Sequence, residues 1–134
     1  MSKINKFLAI VLAFAFPFAC VGCSERERES TISYEQISGA EAKALMESEK
    51  GYIIIDARTQ SEYDEGHIAG AILIPEYEIA SRAENELPDK NQLILVYCRS
   101  GRRSKIAAAE LVKLGYTNVK EFGGIINWEY EIVK

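Results

Sequence analysis

The chain has 134 residues, 48% of them hydrophobic and 27% charged, which is the size and make-up of one globular domain. It has no internal repeat and no low-complexity tract. Its formal charge is -4, and removing Lys3 and Lys6 takes it to -6, which argues against a general nucleic-acid partner.

The first segment reads as an export address. Met1 to Lys6 carries two lysines, and Phe7 to Phe18 is apolar throughout, broken only by Pro17. A charged start and a short apolar run are the parts of a secretory signal. The run is short of the roughly 20 residues a spanning helix needs. It ends in Cys20-Val21-Gly22-Cys23, which resembles a bacterial lipoprotein processing site, with Cys23 as the lipidated residue. Cys20 departs from that pattern, in which an aliphatic residue usually stands three before the modified cysteine. The resemblance implies a signal over residues 1–23 and a protein exported and held by lipid on the outer face of a bacterial membrane. Residues 24–30 alternate acid and base without apolar periodicity and are expected to form a solvated tether.

From Thr31 onward strand and helix signals alternate. Ser38 to Glu41 is a capping box, predicting a helix from Ala40 to Met46. Tyr52 to Ile55 is a β-branched run suited to a strand buried on both faces, with Asp56-Ala57-Arg58 at its end. Thr59 to Glu62 is a second capping box, opening a short helix to about Glu65. Ala71 to Ile74 is the next strand, stopped by Pro75, and Glu76 to Leu87 is predicted helical, stopped by Pro88. Leu93 to Tyr97 is a third apolar strand. The helix from Ser104 to Leu114 is predicted to bury Ile106, Ala107, Leu111 and Leu114, and Gly115 ends it. Val119 to Phe122 is a last strand, and Gly123-Gly124 leads into a predicted terminal helix containing Trp128. The alternation implies an α/β domain with a mostly parallel sheet, whose ligand site lies beyond the carboxyl ends of the strands.

Two features fall at those ends. One is Asp56-Ala57-Arg58, read as a supporting salt bridge. The other is the loop Cys98-Arg99-Ser100-Gly101-Arg102-Arg103 leading to Ser104. If Cys20 and Cys23 belong to the processed segment, Cys98 is the only free thiol, and no disulfide framework is available. Gly101 can adopt positive φ and turn backbone N–H groups inward. Such a nest at a helix start binds anions and stabilises a thiolate. Arg99, Arg102 and Arg103 add positive charge, and Arg103, at the helix entrance, is expected to matter more than Arg99. His67 is the lone histidine. One histidine and one free cysteine give no metal site, and no cofactor is implied.

Ile55 to Arg58, then Glu62-Tyr63 with Gly66 to Ala71 and Ile74-Pro75, then Tyr97 to Ser104, and finally Leu114-Gly115-Tyr116, Gly123-Gly124 and Trp128 together resemble the rhodanese family. The resemblance spans about Ile32 to Tyr130 and implies one rhodanese-like domain over residues 31–134. It implies a sulfurtransferase in which Cys98 takes a sulfane sulfur from a small anionic donor such as thiosulfate. Cys98 would hold it as a persulfide and pass it to a thiol or cyanide-like acceptor. Loop N–H groups would hold the persulfide, and Arg103 would fix the loop or the donor. A monomer is expected. Two other classes share the motif: a cysteine phosphatase or arsenate reductase, and a non-catalytic sulfur carrier, redox sensor or binding module. Phosphatase loops place five residues between cysteine and arginine, whereas four separate Cys98 from Arg103.

Overall fold

The structure, a computed structural model, describes residues 33–134. The signal, Cys23 and the tether lie outside the described residues. Strands β1 (Glu35–Gln36), β2 (Ile53–Asp56), β4 (Ile72–Leu73), β5 (Ile94–Cys98) and β6 (Val119–Gly124) form one parallel sheet in the order β1-β6-β5-β2-β4. A small antiparallel pair joins β3 (His67–Ile68) to β7 (Ile132–Val133). The helices are α1 (Gly39–Ser48), α2 (Gln60–Glu65), α3 (Ile79–Glu86) and α4 (Arg102–Lys113).

Strand alternation sorts the core into two layers. Ile55, Ile94, Val96, Cys98 and Val119 pack against α3 and α4, through Ile79, Ala83, Ala107, Ala108 and Leu111. Ile54, Leu95, Tyr97 and Phe122 point the other way, toward Ala42 of α1 and Trp128. Every residue of β5 is buried, as a central parallel strand requires. Cys98 is the last residue of β5 and shares the α4 face with Val96.

Both capping boxes form. Ser38 Oγ accepts from Glu41 N at 3.1 Å while Ser38 N donates to Glu41 Oε2 at 2.7 Å. Thr59 and Glu62 make the same exchange at the start of α2. Several expectations change. The segment from Glu76 begins with one 3₁₀ turn, Glu76–Glu78, before α3. Helix α4 starts two residues earlier than predicted, because Gly101 at φ +107° supplies the left-handed turn directly before it. Its buried face is Ser104, Ala107, Ala108 and Leu111, while Ile106 is 41% exposed. These four positions follow the three-to-four spacing of one helical side, and Ile106 lies off it.

The predicted terminal helix is absent. Ile125–Asn127 makes a single 3₁₀ turn, and Trp128 is already extended at φ -81°, ψ 118°. Its ring packs on Phe122 at 5.6 Å between centroids, and the chain then supplies β7 as the partner of β3. A backbone ladder with His67–Ile68 replaces the helical bonds the segment would otherwise make.

Asp56 ends β2 with no exposed surface and anchors the α1 side of the strand ends. Its Oδ1 accepts from Arg58 Nε at 3.0 Å, and its Oδ2 accepts from Arg58 Nη2 at 2.8 Å and from Tyr97 OH at 2.6 Å. Arg58 Nη2 also donates to Gly66 O at 2.7 Å, and Tyr97 OH accepts from Ile68 N at 3.1 Å. One carboxylate thus ties β2 and β5 to β3. Burial, then the nearby Asp56, pushes the Tyr97 phenol well above its ordinary range, so it stays a donor. Removing the carboxylate leaves a buried guanidinium and a phenol without their acceptor, at a cost of about 3–5 kcal/mol. Asp56→Ala is therefore expected to lower the unfolding free energy measured in urea by that amount; a loss under about 1 kcal/mol would show the network to be dispensable.

Candidate active site

Cys98 enters the loop with 1% of its surface exposed. Burial opposes the charged form of a thiol. The loop opposes burial with donors. Gly101 N lies 3.0 Å from Cys98 Sγ, and Ser104 Oγ lies 3.3 Å from it. Desolvation raises the thiol, but the Ser104 hydroxyl and the N–H groups of Ser104, Gly101 and Ser100 outweigh it, so Cys98 sits below its ordinary value. The first turn of α4 directs its free N–H groups to the same place.

Gly101 holds φ at +107°, the conformation that aims its N–H back at the sulfur. The loop then rests on the end of β6. A Cβ on Gly124 would fall 2.0 Å from Arg99 O and 2.6 Å from Ser100 Cα, so only glycine allows this approach. Ile126 N donates to Arg99 O at 3.3 Å on the same seam.

The three arginines divide. Arg99 and Arg102 are exposed, as is Ser100. Arg103 is half-buried and closes a bidentate pair with Glu62, Nη1 to Oε2 and Nη2 to Oε1, both at 2.7 Å. Both amino groups of Arg103 are thus committed to α2. Glu62 does two jobs at once, since the same carboxylate caps α2 through Thr59 N at 3.0 Å. Ser104 belongs to α4 rather than to the loop, and it bonds beneath the sulfur. Asp56 and Arg58 pair with each other on the opposite face of the sheet from Cys98, so they support the strand ends and do not line the thiol. His67 stacks on Tyr63 at 3.7 Å, with Nδ1 at 2.9 Å from Tyr63 O, which marks that nitrogen as the N–H donor.

Two participants escaped sequence reading. Glu62 was visible as a cap, but nothing local announces its partner 41 residues away. Glu121 is 3% exposed, and its Oε1 accepts from Ser104 Oγ at 2.6 Å and from Gly123 N at 2.7 Å. Its signal was parity, since it shares the inward face of β6 with Val119. Among the described residues no group of three His, Cys, Asp or Glu is gathered to hold a metal ion.

Arg103 holds the Glu62 carboxyl at about 2, below its ordinary 4.5, against the opposing effect of burial. A carboxylate lowered on folding stabilises fully above its unfolded value and loses that contribution as pH falls. The Glu62–Arg103 clamp is thus complete above about 4.5 and is lost toward about 2. Unfolding free energy measured across that window should fall less steeply for Glu62→Gln than for the parent; parallel acid limbs would show that the pair adds no stability.

The family model described as the rhodanese-like domain matches residues 38–131. The thiosulfate sulfurtransferase PspE of Escherichia coli is 42% identical over 71 residues, covering 53% of this chain and 68% of that protein. The thiosulfate sulfurtransferase GlpE of Coxiella burnetii is 35% identical over 97 residues, covering 72% of this chain and 88% of that protein. Among solved structures, a rhodanese with anions from E. coli superposes with a TM-score of 0.59 at 38% identity, over 63% of this chain and 99% of its own. A rhodanese-related protein from Thermoplasma volcanium gives 0.64 at 29% identity, over 75% of this chain and 98% of its own. Sheet order, cysteine loop and kinship agree: the chain belongs to the rhodanese-like domain family and is a rhodanese-type sulfurtransferase, acting between a sulfur donor and a sulfur acceptor.

Proposed function

We propose that Cys98 carries the transferred sulfur as a persulfide, with thiosulfate as a competent donor and a thiolate or cyanide as acceptor. The observation that carries this reading is the Gly101 N–H set 3.0 Å from Cys98 Sγ at the start of α4. The Cys98 thiolate attacks the sulfane sulfur of the donor. The new S–S bond forms as the donor's S–S bond breaks, and sulfite leaves with the electron pair. The outer sulfur then bears the negative charge, and the N–H groups of the loop surround it. An acceptor nucleophile attacks that outer sulfur, and Cys98 departs as a thiolate, ready for the next donor. Exposed Arg99 and Arg102 at the loop favour the approach of an anionic donor.

Phosphoryl transfer fits less well. A phosphoryl group spreads charge over three oxygens and needs more donors than this loop offers. The arginine that would grip it, Arg103, is committed to Glu62.

The sequence before residue 24 supports export, with Cys23 as the lipid attachment and residues 24–30 as the tether.

Two experiments test these readings. Treated with thiosulfate, the protein should gain the mass of one sulfur on the Cys98 peptide and lose it to cyanide, while Cys98→Ser should keep its stability and gain nothing. Phosphate release that depends on Cys98, without the adduct, would overturn the assignment. For the anchor, Cys23→Ala should leave the membrane fraction or accumulate as an unprocessed precursor; fractionation and migration like the parent would refute lipidation.

A further inference from the structure

Glu121 has no part in the transfer described above, yet it is buried directly beneath the reacting sulfur. It lies on the α4 face of β6, beside Val96 of β5. Its Oε1 is 2.6 Å from Ser104 Oγ, and Ser104 Oγ is 3.3 Å from Cys98 Sγ. The three groups form one buried file: sulfur, hydroxyl, carboxylate.

The file has an imbalance. Ser104 has one hydroxyl proton. Within its reach are Glu121 Oε1 at 2.6 Å, Gly101 O at 3.0 Å and Gly123 O at 3.3 Å. The carboxyl oxygen of Glu121 is the nearest acceptor, so it takes the proton. Ser104 then turns a lone pair toward Cys98 and accepts from the thiol. In that arrangement the hydroxyl cannot also donate to a thiolate. It can do so only when Glu121 has gained a proton.

Building on the Cys98 persulfide reading, we propose that Glu121 is a positioning residue that receives the Cys98 thiol proton through Ser104 when the cysteine is activated. The S–H bond breaks as Ser104 Oγ gains that proton, and the proton Ser104 held passes to Glu121 Oε1. The negative charge moves from carboxylate to sulfur, and nothing is released to solvent. Ser104 now donates to the thiolate, alongside Gly101 N–H, and the protonated Glu121 donates to Ser104. When the acceptor removes the outer sulfur, Cys98 leaves as a thiolate and the same two protons move back.

The other charged groups at this end are accounted for. Arg103 on α4 is paired with Glu62 of α2, and Asp56 of β2 is paired with Arg58. Arg99 and Arg102 face solvent. On β1, the register partner of Glu121 is Gln36, which does not titrate. Lys120 of β6 is paired with Glu35 of β1.

The test is the pH dependence of Cys98 alkylation by iodoacetamide in the full chain. It is read at the Cys98 peptide by mass spectrometry, so that Cys20 and Cys23 do not contribute. The parent should hold a level rate across neutral pH, because the thiolate forms without losing a proton to solvent. Glu121→Gln keeps the acceptor for Ser104 and Gly123 but cannot take the proton. It should replace the plateau with a single rising curve and slow alkylation near neutrality by about ten- to a hundredfold. Ser104→Ala should do the same, and the double variant should be no slower. A Glu121→Gln profile that superimposes on the parent, or one that is faster near neutrality, overturns the proposal. If thermal unfolding shows that Glu121→Gln does not fold, a plateau retained in Ser104→Ala overturns it equally. Alkylation needs no sulfur donor, so its failure leaves the persulfide reading intact, whereas a missing thiosulfate adduct would strike that reading alone.

Discussion

On the proposed reading the site turns on one constraint: a cysteine with 1% of its surface exposed has to carry negative charge. Burial alone would forbid it, because moving an anion out of water is costly. Donors must therefore be fixed around the sulfur before the charge forms. Gly101 N–H at 3.0 Å is the central donor, and it exists only because residue 101 can hold φ at +107°. The missing side chain of Gly124 follows from the same need, since the loop can close over Cys98 only if Arg99 and Ser100 approach the backbone of β6. Two glycines well apart in sequence serve a single N–H···S contact: Gly101 through the left-handed turn that starts α4, and Gly124 through the tight seam.

Positive charge near the sulfur is divided by solvent exposure. Arg99 and Arg102 stand in water, where their field is screened and acts mainly on approaching anions. Arg103 lies inward and is neutralised by Glu62 through two bonds of 2.7 Å. A charge so paired contributes orientation more than potential. It pins α4 to α2, and through the Thr59 cap it ties the loop to the segment that follows Asp56. The family resemblance allowed Arg103 either of two roles; in the structure Glu62 holds both of its amino groups.

The layered fold was legible because its signals are local. β-branched runs, capping boxes and prolines stand where the strands and helices begin and end. The cysteine loop was legible too, since strand, cysteine, glycine and arginines are contiguous. What escaped was set by distance. The Glu62–Arg103 pair spans 41 residues, and no local pattern chooses between a cap that serves only Thr59 and one that also binds a guanidinium. Trp128 misled for a related reason. The sequence after Gly124 could form a helix, but β3 offers a ladder partner that only the tertiary fold brings near. Ile106 was assigned to the core face as an apolar residue, although the helical period through Ser104, Ala107, Ala108 and Leu111 leaves it outside. A serine, not an isoleucine, begins the buried stripe, and that exchange of polar for apolar marks where packing gives way to chemistry.

The two faces of the sheet carry contrasting polar clusters at the same carboxyl edge. Around Asp56 the protons and acceptors match. Arg58 supplies its N–H groups, Tyr97 supplies one O–H, and the carboxylate oxygens and Gly66 O receive them. Such a cluster has one arrangement and serves as a fixed joint. Around Ser104 they do not match, since one hydroxyl proton faces three oxygens while a thiol also points at the same oxygen. A buried network with more acceptors than protons has more than one arrangement, and these differ in where the negative charge sits. The fold thus fixes the side of the sheet that holds the strands together. The network with unmatched protons stands on the side that bears Cys98, and strand parity keeps the two apart.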